Sequence, residues 1–125
     1  MAVAAAELAD DPEVWRRWQA PFSRLVEGLG ALPGISLMGY PALTHRRRVP
    51  LLSLIATAWD VHDLSAVLDT SFGIETRAGW HCAALVHQQL GSVASGGTLR
   101  LSTGHSTTLD EIEFTISAVR EICAQ

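Results

Sequence analysis

Between Trp15 and Leu32 the apolar residues fall at Trp15, Trp18, Phe22, Leu25, Val26, Leu29 and Leu32, mostly in steps of three and four, which puts them on one face of a helix. Asp11 before Pro12 supplies an N-cap and a proline at the first helical position, where its missing N–H costs nothing. Pro21 interrupts the stripe and predicts a kink or break near Ala20. The turn residues of Ala31-Leu32-Pro33-Gly34 end the helix, and a short strand is predicted over 35–40. The run VPLLSLIAT at 49–57 is apolar enough to predict a mid-sheet strand covered on both faces.

Asp60 is placed to cap a helix whose positions Val61, Leu64, Val67 and Leu68 share a side, with a stop at Phe72-Gly73. Ile74 to Arg77 reads as a short strand leading to Gly79, Ala83 to Leu90 as a helix stopped by Gly91, and 92–97 as a flexible loop. Thr98 to Thr103 alternates, with Leu99 and Leu101 on one face and Thr98, Arg100 and Ser102 on the other. Thr108 and Glu111 form a capping-box pattern that opens a last helix, predicted to bury Leu109, Ile112, Ile116, Val119 and Cys123. The order helix, strand, strand, helix, strand, helix, strand, helix predicts an α/β (α+β) domain of two layers. Its short sheet of three or four strands would be mainly antiparallel or mixed, with helices packed on one face.

Composition narrows the class. A chain of 125 residues that is 48% hydrophobic and 18% charged makes one globular domain with a single core. A net charge of −4 lacks the basic field that a nucleic-acid binder needs, and Arg46-Arg47-Arg48, set between Pro41 and Pro50, reads as a solvated loop. No apolar run reaches the roughly 20 residues that span a bilayer. Two cysteines and an acidic opening without a signal-peptide pattern point to a cytoplasmic protein with reduced thiols. All nine basic side chains are Arg, so the chain has no lysine with which to form a Schiff base.

Candidate chemistry gathers near Cys82. A cysteine at the start of a helix lies by unpaired N–H groups and the positive end of the dipole, which can bring its pKa from about 8.5 to roughly 3.5–7.5. From spacing alone Cys82 is either such a nucleophile or an inert buried thiol, while Cys123, on the apolar stripe of the last helix, reads as core. His81, Cys82 and His87 are clustered, yet a closed zinc site needs four ligands and no second pair supplies them. His45, His62 and His105 are scattered over surface and loop positions. Arg100 either clamps a carboxylate with two parallel hydrogen bonds or makes a surface ion pair. No glycine-rich nucleotide-binding pattern is present.

The run GIETRAGWHCAALVHQQLG, followed by GGTLRLSTGHSTTLDEIEFTISAVREI, resembles the C-terminal domain of class V aminotransferases. Within that family of pyridoxal phosphate enzymes it is most similar to the cysteine desulfurase and selenocysteine lyase branch, with its R-x-G-x-H-C-A and G-T-x-R motifs. With LPGISLMGY and the central strand, the resemblance covers roughly residues 22–122. It departs at Ala84, where relatives often have proline, and at Thr107, where asparagine is common.

The resemblance implies that Cys82 is the catalytic cysteine, whose thiolate would attack the sulfur of a cysteine substrate held as a pyridoxal adduct, leaving alanine and an enzyme persulfide. It implies that Arg100 binds the substrate carboxylate and that His81 has a supporting role on the substrate side. On this reading residues 1–125 are one C-terminal small domain with a flexible opening at 1–12, whose large, pyridoxal phosphate-binding domain is missing. The cofactor would belong to the full-length enzyme, with none bound to this chain, which would be inactive alone. The expected partners are the missing large domain, a second copy of the chain across the Trp15 and Trp18 face, and a sulfur-acceptor protein. The alternatives are a binding or assembly module that keeps the fold without catalysis, and a sulfur carrier.

Overall fold

A computed structural model describes residues 12–39 and 49–124 of the chain. The Asp11 cap, Tyr40, His45, the arginine loop and the opening residues 1–11 lie outside the described residues. Among the described residues, four helices, α1 (Pro12–Gly30), α2 (Val61–Phe72), α3 (Ala84–Leu90) and α4 (Leu109–Cys123), and four strands, β1 (Ile35–Leu37), β2 (Leu51–Ala56), β3 (Arg77–Gly79) and β4 (Thr98–Ser102), follow one another in the predicted order. The strands form one sheet in the order β1-β2-β4-β3, with every pairing antiparallel.

The period-two pattern sets what each strand buries. Leu52 and Leu54 of β2 pair with Leu101 and Leu99 of β4 on the covered face, where Ala56 is also buried. There they join Phe22, Leu25, Val26 and Leu29 of α1, Val61, Leu64 and Leu68 of α2, and Ile112, Ile116, Val119 and Ile122 of α4 in one core. The opposite face, with Leu51, Ser53 and Ile55 only half-buried, corrects the expectation of a strand covered on both sides. Ser53 is paired there with Arg100, and a guanidinium cannot enter a dry core without a partner.

Three other expectations change. Helix α1 runs unbroken through Pro21. An interior proline costs about 3 kcal/mol, but Phe22, Leu25, Val26 and Leu29 are all buried beyond it, and each such side chain is worth about 1.5–3 kcal/mol. Ile74 does not begin a strand, because its N–H still caps α2 by donating to the Leu68 carbonyl, as the Gly73 N–H does to Asp69. The chain first pairs at Arg77. Leu109, the first residue of α4, stays 54% exposed, whereas Ala118 and Ile122 enter the core unforeseen.

Helices α1 and α4 touch directly. A Cβ on Gly28 would lie 2.2 Å from Ile116 Cδ1, so the glycine permits the contact. Arg24 on α1 grips Glu113 on α4 with two hydrogen bonds, Nη2 to Oε2 at 2.8 Å and Nε to Oε1, although an exposed pair of this kind contributes little stability.

The capping box of α4 is formed in full. Thr108 Oγ1 accepts from the Glu111 N–H at 3.2 Å and the Thr108 N–H donates to Glu111 Oε2 at 2.7 Å. Thr108→Ala is expected to cost about 1 kcal/mol at neutral pH in denaturant unfolding. The bonds from Thr108 hold the Glu111 carboxyl below its ordinary value of 4.5. Its stabilisation is therefore complete above that value and is lost as pH falls through the depressed folded value. The gap between wild type and variant should narrow in acid, and a gap unchanged at low pH would contradict this.

Candidate functional site

Strand β3 ends at Gly79, and the chain then turns sharply. The Ala83 N–H donates to the Trp80 carbonyl at 2.8 Å, and the two residues between, His81 and Cys82, have φ of 49° and 60°. Positive φ at both central positions is the signature of a type I′ turn, which ordinarily takes Asn or Gly. For residues with a Cβ it costs on the order of 1–2 kcal/mol each.

Three side-chain hydrogen bonds oppose that strain. His81 Nε2 lies 3.0 Å from the Thr98 carbonyl oxygen, His87 Nε2 lies 2.9 Å from that of Trp80, and His87 Nδ1 lies 2.8 Å from Ser92 Oγ. A carbonyl can only accept, so both Nε2 atoms carry the proton, and the Ser92 hydroxyl donates to His87 Nδ1. At about 0.5–1.5 kcal/mol each, such bonds are comparable with the strain of the turn.

The base of the turn is fixed by two glycines. Gly79 and Gly97 have φ of 110° and 111°, and a Cβ on Gly97 would lie 2.2 Å from the Gly79 oxygen. Only a backbone without side chains can approach that closely. The two ends of the 92–97 loop are tied together, since Ser92 and Gly97 are buried and the Gly97 N–H donates to the Ser92 carbonyl at 3.0 Å.

Cys82 also changes its place. Helix α3 begins at Ala84 after an Ala83 cap that has no side-chain hydrogen bond, so Cys82 sits in the turn that precedes the helix. The turn sets its orientation and leaves its thiol exposed, whereas Cys123 is half-buried and packs against the core. Burial pushes the Cys123 pKa up.

Arg100, on the open face of β4, lies directly opposite Arg77 of β3. Cross-strand like charges repel, and among the described residues neither guanidinium has an ion pair or hydrogen bond. Both are near enough to His81 to act on it. Its pKa lies below the ordinary 6.5 chiefly through burial, helped by Arg100, His87 and Arg77 and opposed by the Thr98 bond. His81 Nδ1 is buried without a partner, and a neutral ring leaves it a bare acceptor. His62 and His105 are exposed. No group of three or more His, Cys, Asp or Glu side chains is placed to hold a metal among the described residues.

The structure thus puts Cys82 and His81 in the turn after β3, and Arg100 on β4 near enough to act on the His81 ring. Sequence reasoning weighed His87 only as a metal ligand and gave Arg77, Ser92 and Thr98 no role at the site. Arg77 lay within the R-x-G-x-H-C stretch, while the contacts of Thr98 and Ser92 depend on how the turn folds back and leave no periodic trace.

Residues 5–114 match the family model of class V aminotransferases. The chain belongs to the class V aminotransferase family. Among curated members it is 32% identical over 111 residues to a probable cysteine desulfurase of Methanothermobacter thermautotrophicus, covering 86% of this chain and 27% of that protein. A probable cysteine desulfurase of Pseudomonas aeruginosa is 36% identical over 104 residues, covering 83% and 23%. Among solved structures, the apo cysteine desulfurase of Thermococcus onnurineus superposes with a TM-score of 0.76 at 28% identity, covering 87% of this chain and 26% of that one.

The chain therefore spans about a quarter of the length of the relatives it matches. Full-length members of the class V aminotransferase family use pyridoxal phosphate. The donor set here does not fit that group, since the chain has no lysine amine to take its aldehyde carbon. Among the described residues, no helix is long and apolar enough to cross a membrane.

The Gly79–Gly97 contact makes a sharp prediction. Gly97→Ala should destabilise by about 1–3 kcal/mol through overpacking and strain. Gly104→Ala, with nothing within 4 Å of the added Cβ, should stay within about 0.5 kcal/mol of wild type. Denaturant midpoints compare the two, and equal effects would show that the close approach does not constrain the turn.

Proposed function

We propose that this chain is the C-terminal small domain of a cysteine desulfurase-like enzyme, and that it supplies the sulfur-accepting thiolate, Cys82, and the carboxylate clamp, Arg100. The observation that carries this reading is the exposed, strained Cys82 in the same turn as His81, whose ring feels the Arg100 and Arg77 guanidiniums. A turn that holds a cysteine in solvent at an energetic cost is poorly explained as packing, and strain of this kind clusters at functional sites.

The chemistry follows from those groups. A thiolate at Cys82 is the nucleophile and forms a bond to the sulfur of a cysteine substrate, whose carbon keeps the electron pair of the breaking C–S bond. The chain has no lysine with which to hold an electron sink for that pair, so the sink belongs to the pyridoxal phosphate-binding large domain, the partner this reading requires. Arg100 presents a planar fork that fits a carboxylate, and Arg77 opposite adds a second positive charge that an anion would neutralise. Neutral His81, next to Cys82 in the turn and bonded to the Thr98 carbonyl, has a supporting role. A sulfur-acceptor protein would then take the persulfide sulfur.

Alkylation rates resolved by peptide mass test the assignment. With neutral iodoacetamide, Cys82 should react at least about tenfold faster than Cys123 near neutral pH, because burial withholds the Cys123 thiolate. With anionic iodoacetate, the Cys82 rate should fall several-fold in Arg100→Ala while the iodoacetamide rate holds. Equal, slow labelling of both cysteines would support a non-catalytic module and overturn the proposal.

A further inference from the structure

Among the described residues one histidine is buried, and it has no part in the chemistry just described. His87 is 4% exposed and both its ring nitrogens are engaged, Nε2 with the Trp80 carbonyl and Nδ1 with Ser92. We infer that His87 is the positioning residue for Cys82, its Nε2–H fastening the Trp80 carbonyl so that the strained turn keeps the thiol facing outward. The inference rests on the reading of Cys82 as the nucleophile and adds the residue that orients it.

The geometry follows from helix direction. His87 is bonded through its N–H to the Ala83 carbonyl, one turn earlier. Helical side chains lean toward the N-terminus, so the His87 ring reaches back over the opening of α3 toward Trp80. Its ring centroid lies 5.9 Å from that of Trp80 and 6.1 Å from that of His81. The Trp80 oxygen receives two donors, the Ala83 N–H, which closes the turn, and His87 Nε2–H, which ties the turn to α3. On the other side of the ring Ser92, fully buried, links it to the segment after Gly91. His87 is thus a strut between the chain before Cys82 and the chain after α3. Without its Nε2–H, only the Ala83 bond and the His81–Thr98 bond hold the turn against two unfavourable φ angles.

Two isosteres separate positioning from stability. Gln places an amide N–H near Nε2 and keeps the Trp80 bond while losing Ser92, and Asn places its amide near Nδ1 and does the reverse. Each removes one buried hydrogen bond, so both should lower thermal stability alike. Iodoacetamide labelling of Cys82 across pH and hydrogen exchange of the Ala83 amide are measured on the full chain. In His87→Gln both should stay within about twofold of wild type. In His87→Asn the Ala83 amide should exchange about tenfold faster or more, as expected when a bond worth about 1 kcal/mol or more is lost, and the Cys82 labelling rate should change by more than about twofold.

Indistinguishable behaviour of the two variants in both readouts, or a larger loss in Gln than in Asn, would overturn the inference. If either variant fails to fold, the unaltered chain decides. Its Ala83 amide must exchange at least about a hundredfold slower than an open chain, and an unprotected amide would refute the strut. If wild-type Cys82 labels no faster than Cys123, the proposed function falls, while Ala83 exchange still reports on His87 separately.

Discussion

One acceptor atom organises this end of the molecule. The Trp80 carbonyl oxygen takes hydrogen bonds from the Ala83 N–H and from His87 Nε2, and between those anchors His81 and Cys82 adopt a conformation that L-residues avoid. The rest of the site depends on that closure. It aims the His81 ring at the Thr98 carbonyl, sets Cys82 in solvent ahead of α3, and leaves the start of β4 pressed against Gly79 through the bare backbone of Gly97.

The remainder of the fold serves as a rigid support for this turn. The leucine pairs of β2 and β4 bury one face of the sheet under α1, α2 and α4, and the alternation that places Leu99 and Leu101 inward turns Arg100 to the other face. That open face carries two facing arginines without partners among the described residues. Exposed Trp80, Leu85, Val86, Leu90 and Val93 flank the turn and α3. Uncompensated charge beside apolar surface suits a site that another polypeptide region completes. The proposed reading requires this of a chain that spans about a quarter of its family relatives.

Much of the fold was legible because its signals are local. The Asp60 cap, the Gly73 and Gly91 stops and the Thr108–Glu111 box each rest on residues a few positions apart, and the alternation of 98–102 fixes which side chains face the core. The errors arose where tertiary packing overrides local preference. Burial of the α1 stripe carries the helix through Pro21, and the cap on α2 delays β3 to Arg77. Cys82 looked like a helix-tip residue because His81 and Cys82 have no intrinsic preference for positive φ. What holds them there comes from Thr98 and from His87 with Ser92, contacts made by folding rather than by spacing.

The central claim is that His87 donates through Nε2 to the Trp80 carbonyl and so locks the turn that presents Cys82. A long-range nitrogen–proton correlation spectrum of the histidine rings, recorded on the full chain at neutral pH, tests it most directly. The proton of His87 is expected on Nε2, with Nδ1 bare and accepting from Ser92. A proton on Nδ1 with a bare Nε2 would leave the Trp80 carbonyl without its second donor and contradict the claim.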